Sequence, residues 1–433
     1  MKIAKKIIAV ILSVLFVVAC FAGCSANEEK DGGNNAQNTD LKIGVITIGD
    51  DTETYTKAHM DGINKAAEEL GIASENIIWK TNIPETDECY NAAKELVASG
   101  CKLVVSNSYG HQNYVVDAAE EYPDVTFVSM TGDFAAISGL DNFYNAFTRI
   151  YEARYISGVV AGMKIKELVD GKKLADNNFD ADGNVKMGYV GAFPFAEVVS
   201  GYTAFYLGAK SVVDNVVMDV QYTSSWFDTE GEAAAAEALM ARGCVIIGQH
   251  ADSTGAPTAV QDAYKNGTTA FSVGYNMDMT DVAPDVALTS SINNWNIYYK
   301  ELFTAAVNGT EIPADKAYGY ADGGVGITEL GTAAAEGTQA KVDEAVAAIK
   351  DGSLKVFDTS KFTVGGKAVT DAEVDFSFMD FSTDPAKVVY QGEKKNCIVT
   401  ENGVSFFDES TFRAAPYFSL RVDGITELNA DAA

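Results

Sequence analysis

From Leu41 onward the chain keeps one beat: a short apolar run, then a stretch with helical spacing that stops at or near glycine. "LKIGVITIG" reads as a strand. "KAHMDGINKAAEELG" sets Ile63, Ala66, Ala67 and Leu70 on one helical face and ends at Gly71. "ENIIWKT", "CKLVVSNS" and "VTFVSMTG" repeat the strand, while "ETDECYNAAKELVASG" and "HQNYVVDAAEEYP" repeat the helix. After the long helix "IYEARYISGVVAGMKIKELVDG" a second series begins, with strands "KMGYVGAF", "VMDVQYTSS", "CVIIGQH" and "TAFSVGY" separated by helices. Strands alternating with helices predict parallel sheets covered by helices, and two series in succession predict two α/β lobes. In open sheets of this kind ligands bind beyond the carboxyl ends of the strands, so two facing lobes would enclose a ligand between them.

The remaining segments attach to this frame. "VALTSSINNWNIYYKELFTAAVNG" predicts a strand and a helix that crosses back to the first lobe, and "GYADGGVGITELG" and "KVDEAVAAIKDGSLKVF" a strand, a turn and a last helix. The expected first lobe is 41–170 with about 290–320, and the second 185–285 with about 320–368. From about Val369 the pattern changes to scattered aromatics and short β-like runs, an extension over 369–433.

The chain starts differently. Lys2, Lys5 and Lys6 precede an apolar run from Ile7 to Ala19, too short to span a bilayer. "FAGC" then puts small residues before Cys24, a pattern that resembles a bacterial lipobox, with Cys20 the weaker alternative. Residues 1–23 are expected to be a lipoprotein signal peptide and Cys24 the lipid attachment site. Residues 24–40, rich in Asn, Asp, Glu and Gly, read as a disordered tether. The formal net charge of −29 becomes about −32 without the three signal lysines. A surface this acidic disfavours nucleic-acid partners. Cys89, Cys101, Cys244 and Cys397 are far apart and lack metal or disulfide spacing; Cys101 and Cys244 open predicted strands and read as small buried hydrophobes.

Catalytic and metal motifs are absent. There is no H-E-x-x-H, C-x-x-C, G-x-S-x-G or phosphate-binding G-x-x-x-x-G-K-[ST]. The polar loop "KLADNNFDADGNV" fails as a calcium site, because Asn178 and Tyr189 stand where the first aspartate and last glutamate belong. No metal and no cofactor is expected, and the chain reads as a binder rather than an enzyme.

The predicted strand ends carry aromatics, carboxamides and carboxylates: Tyr55 and His59; Asn107, Ser108 and Tyr109; Asp133; Phe193 and Phe195; Trp226 and Asp228; His250 and Asp252; Asn276 and Asp278; Asn293 and Trp295. Aromatic walls with a few placed polar groups suit a flat ligand with polar edges. At "SSWFDTEGE", Trp226 is expected to face the cleft and Phe227 the core. Thr229 and Glu232 stand at capping-box spacing, which favours Thr229 over Asp228 as the helix cap.

"YEARYISGVVAGMK", "SSWFDTEGEAAAAEALMARGCVIIGQHADS", "VGYNMDM" and "LTSSINNWNIYY" resemble the basic membrane protein family of ABC-transporter substrate-binding lipoproteins. The resemblance runs from about Leu41 to Phe357. It implies a type I periplasmic-binding-protein fold: two Rossmann-like lobes joined by a hinge of crossing segments that close on ligand. It also implies a purine nucleobase or nucleoside as ligand, an ABC permease as partner, attachment to the extracytoplasmic face of the membrane, and a monomer. Carried over, Tyr55, Tyr109 and Trp226 stack on the ring, and Ser108, Asp252, Asn276 and Asp278 hydrogen-bond to base or ribose; Phe193 and Trp295 complete the candidate lining. Asn293 stands near the place where the nucleoside-binding branch has Lys, and Asn113 where relatives often have Asp, which tilts the expectation toward a nucleobase or a differently substituted ligand. Three readings compete with transport of a purine: a surface sensor or interaction lipoprotein on the same fold, motivated by the extension; a receptor for a sugar or other small polar solute; and a hydrolase on a similar scaffold.

Overall fold

The computed structural model describes residues 40–380, 385 and 387–432. The expected signal peptide, the Cys24 attachment site and all but the last residue of the tether lie outside the described residues.

Two sheets share one strand order. The first is built from β1 (Ile43–Ile46), β2 (Ile77–Lys80), β3 (Leu103–Ser106), β4 (Thr126–Met130) and β5 (Phe143–Thr148). Between them run α1 (Thr54–Leu70), α2 (Asp87–Ala98) and α3 (Gln112–Glu121). The long α4 (Ile150–Asp170) leads to the second sheet, made from β6 (Val185–Gly191), β7 (Val216–Tyr222), β8 (Ile246–His250), β9 (Phe271–Tyr275) and β10 (Ala287–Asn293). Its connections are α5 (Ala196–Lys210), α6 (Thr229–Ala241) and α7 (Gly255–Lys265). Then α8 (Asn296–Asn308), β11 (Asp315–Tyr318), β12 (Val325–Ile327) and α9 (Thr338–Lys350) pass between the lobes. The first sheet reads β2-β1-β3-β4-β5-β11 and the second contains the run β7-β6-β8-β9-β10-β12. All of these pairings are parallel except β10 with β12. In both sheets the order reverses beside the first strand of the series, the place where open α/β sheets hold ligands.

Burial explains the elements. Every residue of β1, β3, β8 and β9 is buried, as expected of strands covered on both faces. The first sheet is packed on one side by Ile63, Ala66 and Ala67 of α1 with Tyr298, Tyr299 and Phe303 of α8, and on the other by Ala93 and Leu96 of α2 with Val115 and Ala118 of α3. Thus α8 returns to the first lobe, as its sequence predicts. Cys89, Cys101, Cys244 and Cys397 are all free and buried.

The structure adds two strands, corrects one assignment and gives the extension a place. First, β5 and β11 were not foreseen. β5 carries Asn145 in its buried interior, where the side chain accepts from Ala135 N–H at 2.8 Å and donates to Asp315, so the strand lacks an apolar signature. Second, α4, assigned by sequence to the first lobe, packs in the second: Ile156, Val159, Val160 and Ile165 belong to the second core. It meets α5 at backbone distance. A Cβ on Gly158 would lie 2.1 Å from the Phe205 carbonyl oxygen, and one on Gly208 2.0 Å from that of Tyr155. Third, the 369–433 extension, which the sequence leaves without a place, joins the sheets. After antiparallel hairpins at 373–396, 378–390 and 398–407, its last strand, β13 (Ile425–Glu427), pairs parallel with β7 and widens the second sheet.

Candidate functional site

The carboxyl ends of the strands in both lobes converge on one set of side chains. In the first lobe, Tyr55 lies in the opening turn of α1. Its hydroxyl donates to the Asn107 carbonyl oxygen and sits 3.1 Å from Thr131 Oγ1. Asn107, just past β3, is itself locked: Oδ1 accepts from Ile48 N–H at 2.8 Å and Nδ2 donates to Thr56 Oγ1 at 3.2 Å. Tyr55 is therefore held across the ends of β1, β3 and β4.

In the second lobe a relay of polar side chains runs toward the crossing segments. Asn276 Nδ2 donates to Asp252 Oδ1 at 3.0 Å, Asn293 Nδ2 donates to Asn276 Oδ1 at 2.9 Å, and Thr148 Oγ1 donates to Asn293 Oδ1 at 2.5 Å. Asn276 has φ +61°, a left-handed conformation that asparagine tolerates far better than most residues. The relay joins the end of β8 to the end of β5, so it spans both lobes.

Beside it stands an aromatic group. Phe193 and Phe195 stack with ring centroids 5.2 Å apart, and Trp226 meets Phe193 edge-on at 5.5 Å. Trp226 lies 6.5 Å from His250, which lies 4.9 Å from Tyr275. Beneath them the buried Arg154 donates to the Gln249 carbonyl oxygen and lies 3.8 Å from the centroid of the Tyr275 ring, a favourable cation–π placement.

Charge inside this site is unusual. Burial pushes the Asp252 carboxyl well above the usual carboxylate range, and Glu53, Glu232 and Glu197 push it further. Burial raises Glu232 to about 7; it accepts from Gln249 Nε2 and Ser253 N–H, both at 3.3 Å. His250 is held down to about 4 by burial and by the Arg154 charge, so neutral imidazole faces Glu197 Oε1 at 3.3 Å. Buried acids with raised pKa and a neutral histidine hydrogen-bond to a ligand without requiring it to carry charge. Among the described residues, no group of three or more His, Cys, Asp and Glu side chains is arranged to hold a metal ion.

The structure brings Tyr55, Phe193, Trp226, Asp252 and Asn276 together. It treats the other candidates differently. Ser108 Oγ donates to Glu85 Oε1 at 2.6 Å, within the first lobe. Tyr109 points its hydroxyl at Asp133, 3.2 Å from each carboxylate oxygen. Asp278 is exposed and accepts from Thr280 N–H at 2.8 Å, a local turn. Trp295 is only 3% exposed and stacks on His59 at 4.4 Å in the first core, against the backbone approach of Gly62; it is a core residue. Phe227, expected in the core, is 43% exposed. The cap of α6 is Asp228 and not Thr229. Asp228 Oδ1 accepts from Gly231 N–H at 2.9 Å, while Glu232 Oε1 accepts from Asp228 N–H at 3.3 Å. The reciprocal pair forms with the acid one residue later than the usual box spacing.

Glu53 and Glu197 join the site without having been singled out from sequence. Each sits beside the first turn of a helix, where an acid reads as an ordinary partner for the helix dipole. His250 and Asn293 were visible at strand ends but not selected.

Comparison with known proteins agrees with this architecture. A sequence model of the family described as ABC transporter substrate-binding protein, PnrA-like, matches residues 42–359. A purine-binding protein of Brucella abortus (strain 2308) is 33% identical over 75% of this chain and 85% of its own. An ABC transporter nucleoside-binding protein of Lactococcus lactis subsp. cremoris (strain MG1363) is 24% identical over 58% and 66%. Among solved structures, an ABC transporter solute-binding protein from Aeropyrum pernix K1 covers 73% of this chain and 93% of its own, with a TM-score of 0.60 and 18% identity.

Proposed function

The chain belongs to the family of PnrA-like ABC transporter substrate-binding proteins, and from that premise we propose that it captures a purine nucleobase between its lobes. The family is one of solute receptors, not enzymes: a member binds a small molecule and delivers it to an ABC permease. No helix among the described residues is long and apolar enough to cross a membrane. We further propose that Cys24 carries a lipid that tethers the receptor outside the cell.

The observation that carries the ligand reading is the pairing of the Phe193–Trp226 wall with the Asp252–Asn276–Asn293 relay. A planar heterocycle fits an aromatic wall by stacking. Its ring nitrogens and exocyclic groups need acceptors and donors at its edge, which a carboxyl, two carboxamides and a neutral His250 supply. The name of the Brucella relative supports a purine; Asn293, a neutral side chain, supports the base over its nucleoside. Tyr55 closes the site from the first lobe. Hinge closure then follows from differential contact: a ligand that touches both lobes favours the state in which they meet.

The test is a melting-temperature panel with adenine, guanine, hypoxanthine, their nucleosides and glucose. A nucleobase is expected to raise the melting temperature, because ligand binds only the folded state. Stabilisation by glucose and by no purine would overturn this reading in favour of a sugar receptor.

A further inference from the structure

The extension is rooted in the second lobe. Beside β13, Met218 N–H donates to the Gly424 carbonyl oxygen and Leu428 N–H to that of Val220, both at 2.9 Å. Phe418 stacks on Phe357 with centroids 4.2 Å apart, and Tyr202 Oη donates to Glu427 Oε1 at 3.1 Å.

The same segment reaches the first lobe at four places. Arg413 Nη1 donates to Asp133 Oδ2 at 3.0 Å, with the two side chains 21% and 6% exposed. Ala414 N–H donates at 2.9 Å to Asp315 Oδ2, on the edge strand β11. Phe378 stacks on Phe134 at 4.4 Å, and Ala414 and Ala415 pack on Phe147. Arg413 is pre-set for its contact, since Nε and Nη2 donate to the carbonyl oxygens of Ala415 and Pro416, each at 3.3 Å. Asp133 also accepts from Tyr109 Oη and from Gln112 Nε2, at 3.2 and 3.1 Å.

A hinge made only of crossing segments leaves two lobes free to part. A segment fixed in one lobe and bonded to the other resists that motion, because opening must break its contacts. The Arg413–Asp133 bond is charge-assisted and largely shielded from water, the stronger kind of contact.

We propose that the described residues of the extension form an interlobe strap that restrains opening of the cleft, with Arg413 as its polar anchor. The proposal deepens the receptor reading and rests on it only where ligand release is concerned.

Thr54 N–H donates across the lobes to the Asp252 carbonyl oxygen, so its exchange with deuterium reports opening directly. Exchange mass spectrometry on the full chain compares wild type with Arg413→Ala, Arg413→Lys and Phe378→Ala, following the peptide that contains Thr54 and a peptide from β6. The strap predicts roughly 5–30-fold faster exchange at Thr54 in both alanine variants, the factor that losing one moderate contact gives, with a smaller change in Arg413→Lys and none in β6. Unchanged exchange at Thr54 in both alanine variants overturns the proposal. Equal acceleration in β6 also overturns it, since the extension would then support the fold and not the closure. A wild type that binds no purine sinks the ligand reading but leaves this exchange experiment intact.

Discussion

Thr54 of the first lobe donates both its backbone N–H and its hydroxyl to the Asp252 carbonyl oxygen of the second, at 3.1 and 3.0 Å. These bonds exist only while the lobes meet. Thr54→Val keeps the shape and the backbone bond but removes the hydroxyl. A neutral hydrogen bond contributes about 0.5–1.5 kcal/mol, so ligand affinity should fall by roughly 2–12-fold while the thermal midpoint of the free protein barely moves. Calorimetric titration of both proteins checks this.

Trp226 is partly exposed beside Phe193 and His250 and packs at the margin of the second core, not inside it. Trp226→Ala should therefore cost ligand affinity far more than stability. Stacking of a base on an aromatic ring is worth about 1–3 kcal/mol, which predicts at least a roughly fivefold loss of affinity. A variant that unfolds would instead assign Trp226 to the core.

Glu232 gives the protein a pH dependence of definite sign. Its folded-state pKa is raised to about 7 from 4.5. Between those values the unfolded chain releases a proton that the folded one keeps, so stability from this group falls as pH rises from about 4.5 to about 7. His250, held down to about 4, acts oppositely below its ordinary value of 6.5. Glu232→Gln should remove the first contribution, on the order of a few kcal/mol, and leave the second. Denaturant melts of both proteins at pH 5 and pH 8 would separate them; an identical pH slope in the variant contradicts the assignment.

Gly158 is needed by packing rather than by backbone conformation. A methyl group there meets the Phe205 carbonyl oxygen at 2.1 Å, so α4 and α5 must separate. Gly158→Ala should destabilise by about 1–3 kcal/mol, the usual cost of overpacking, despite the better helix propensity of alanine. A thermal melt decides; a stabilised variant would mean that the helices slide at no cost.

The alternating frame was legible because strands such as β1 and β3 are buried on both faces and read as short, largely apolar runs. β5 was not, because Asn145 interrupts it with a side chain whose partners, Ala135 and Asp315, are distant in sequence. The cleft was legible in outline for a similar reason: residues after strands must lie at the carboxyl edge of a parallel sheet, which located Asp252, Asn276 and Trp226. Which strand-end residues turn inward was not legible. Trp295 follows β10 as Trp226 follows β7, yet the closeness of α1 at Gly62 draws Trp295 into the core. Glu53 gains its meaning only when the second lobe is brought against the first, and Glu197 through His250, a partner distant in sequence. The tie between Arg413 and Asp133 spans most of the chain and has no local signature.

The central claim is that the cleft holds a purine base. Native mass spectrometry of freshly purified protein, followed by denaturation and identification of the released molecule, tests it most directly. The account predicts a bound species with the mass of a purine nucleobase, absent from the Trp226→Ala protein prepared in the same way. A released hexose, or the same purine retained in full by that variant, would contradict it.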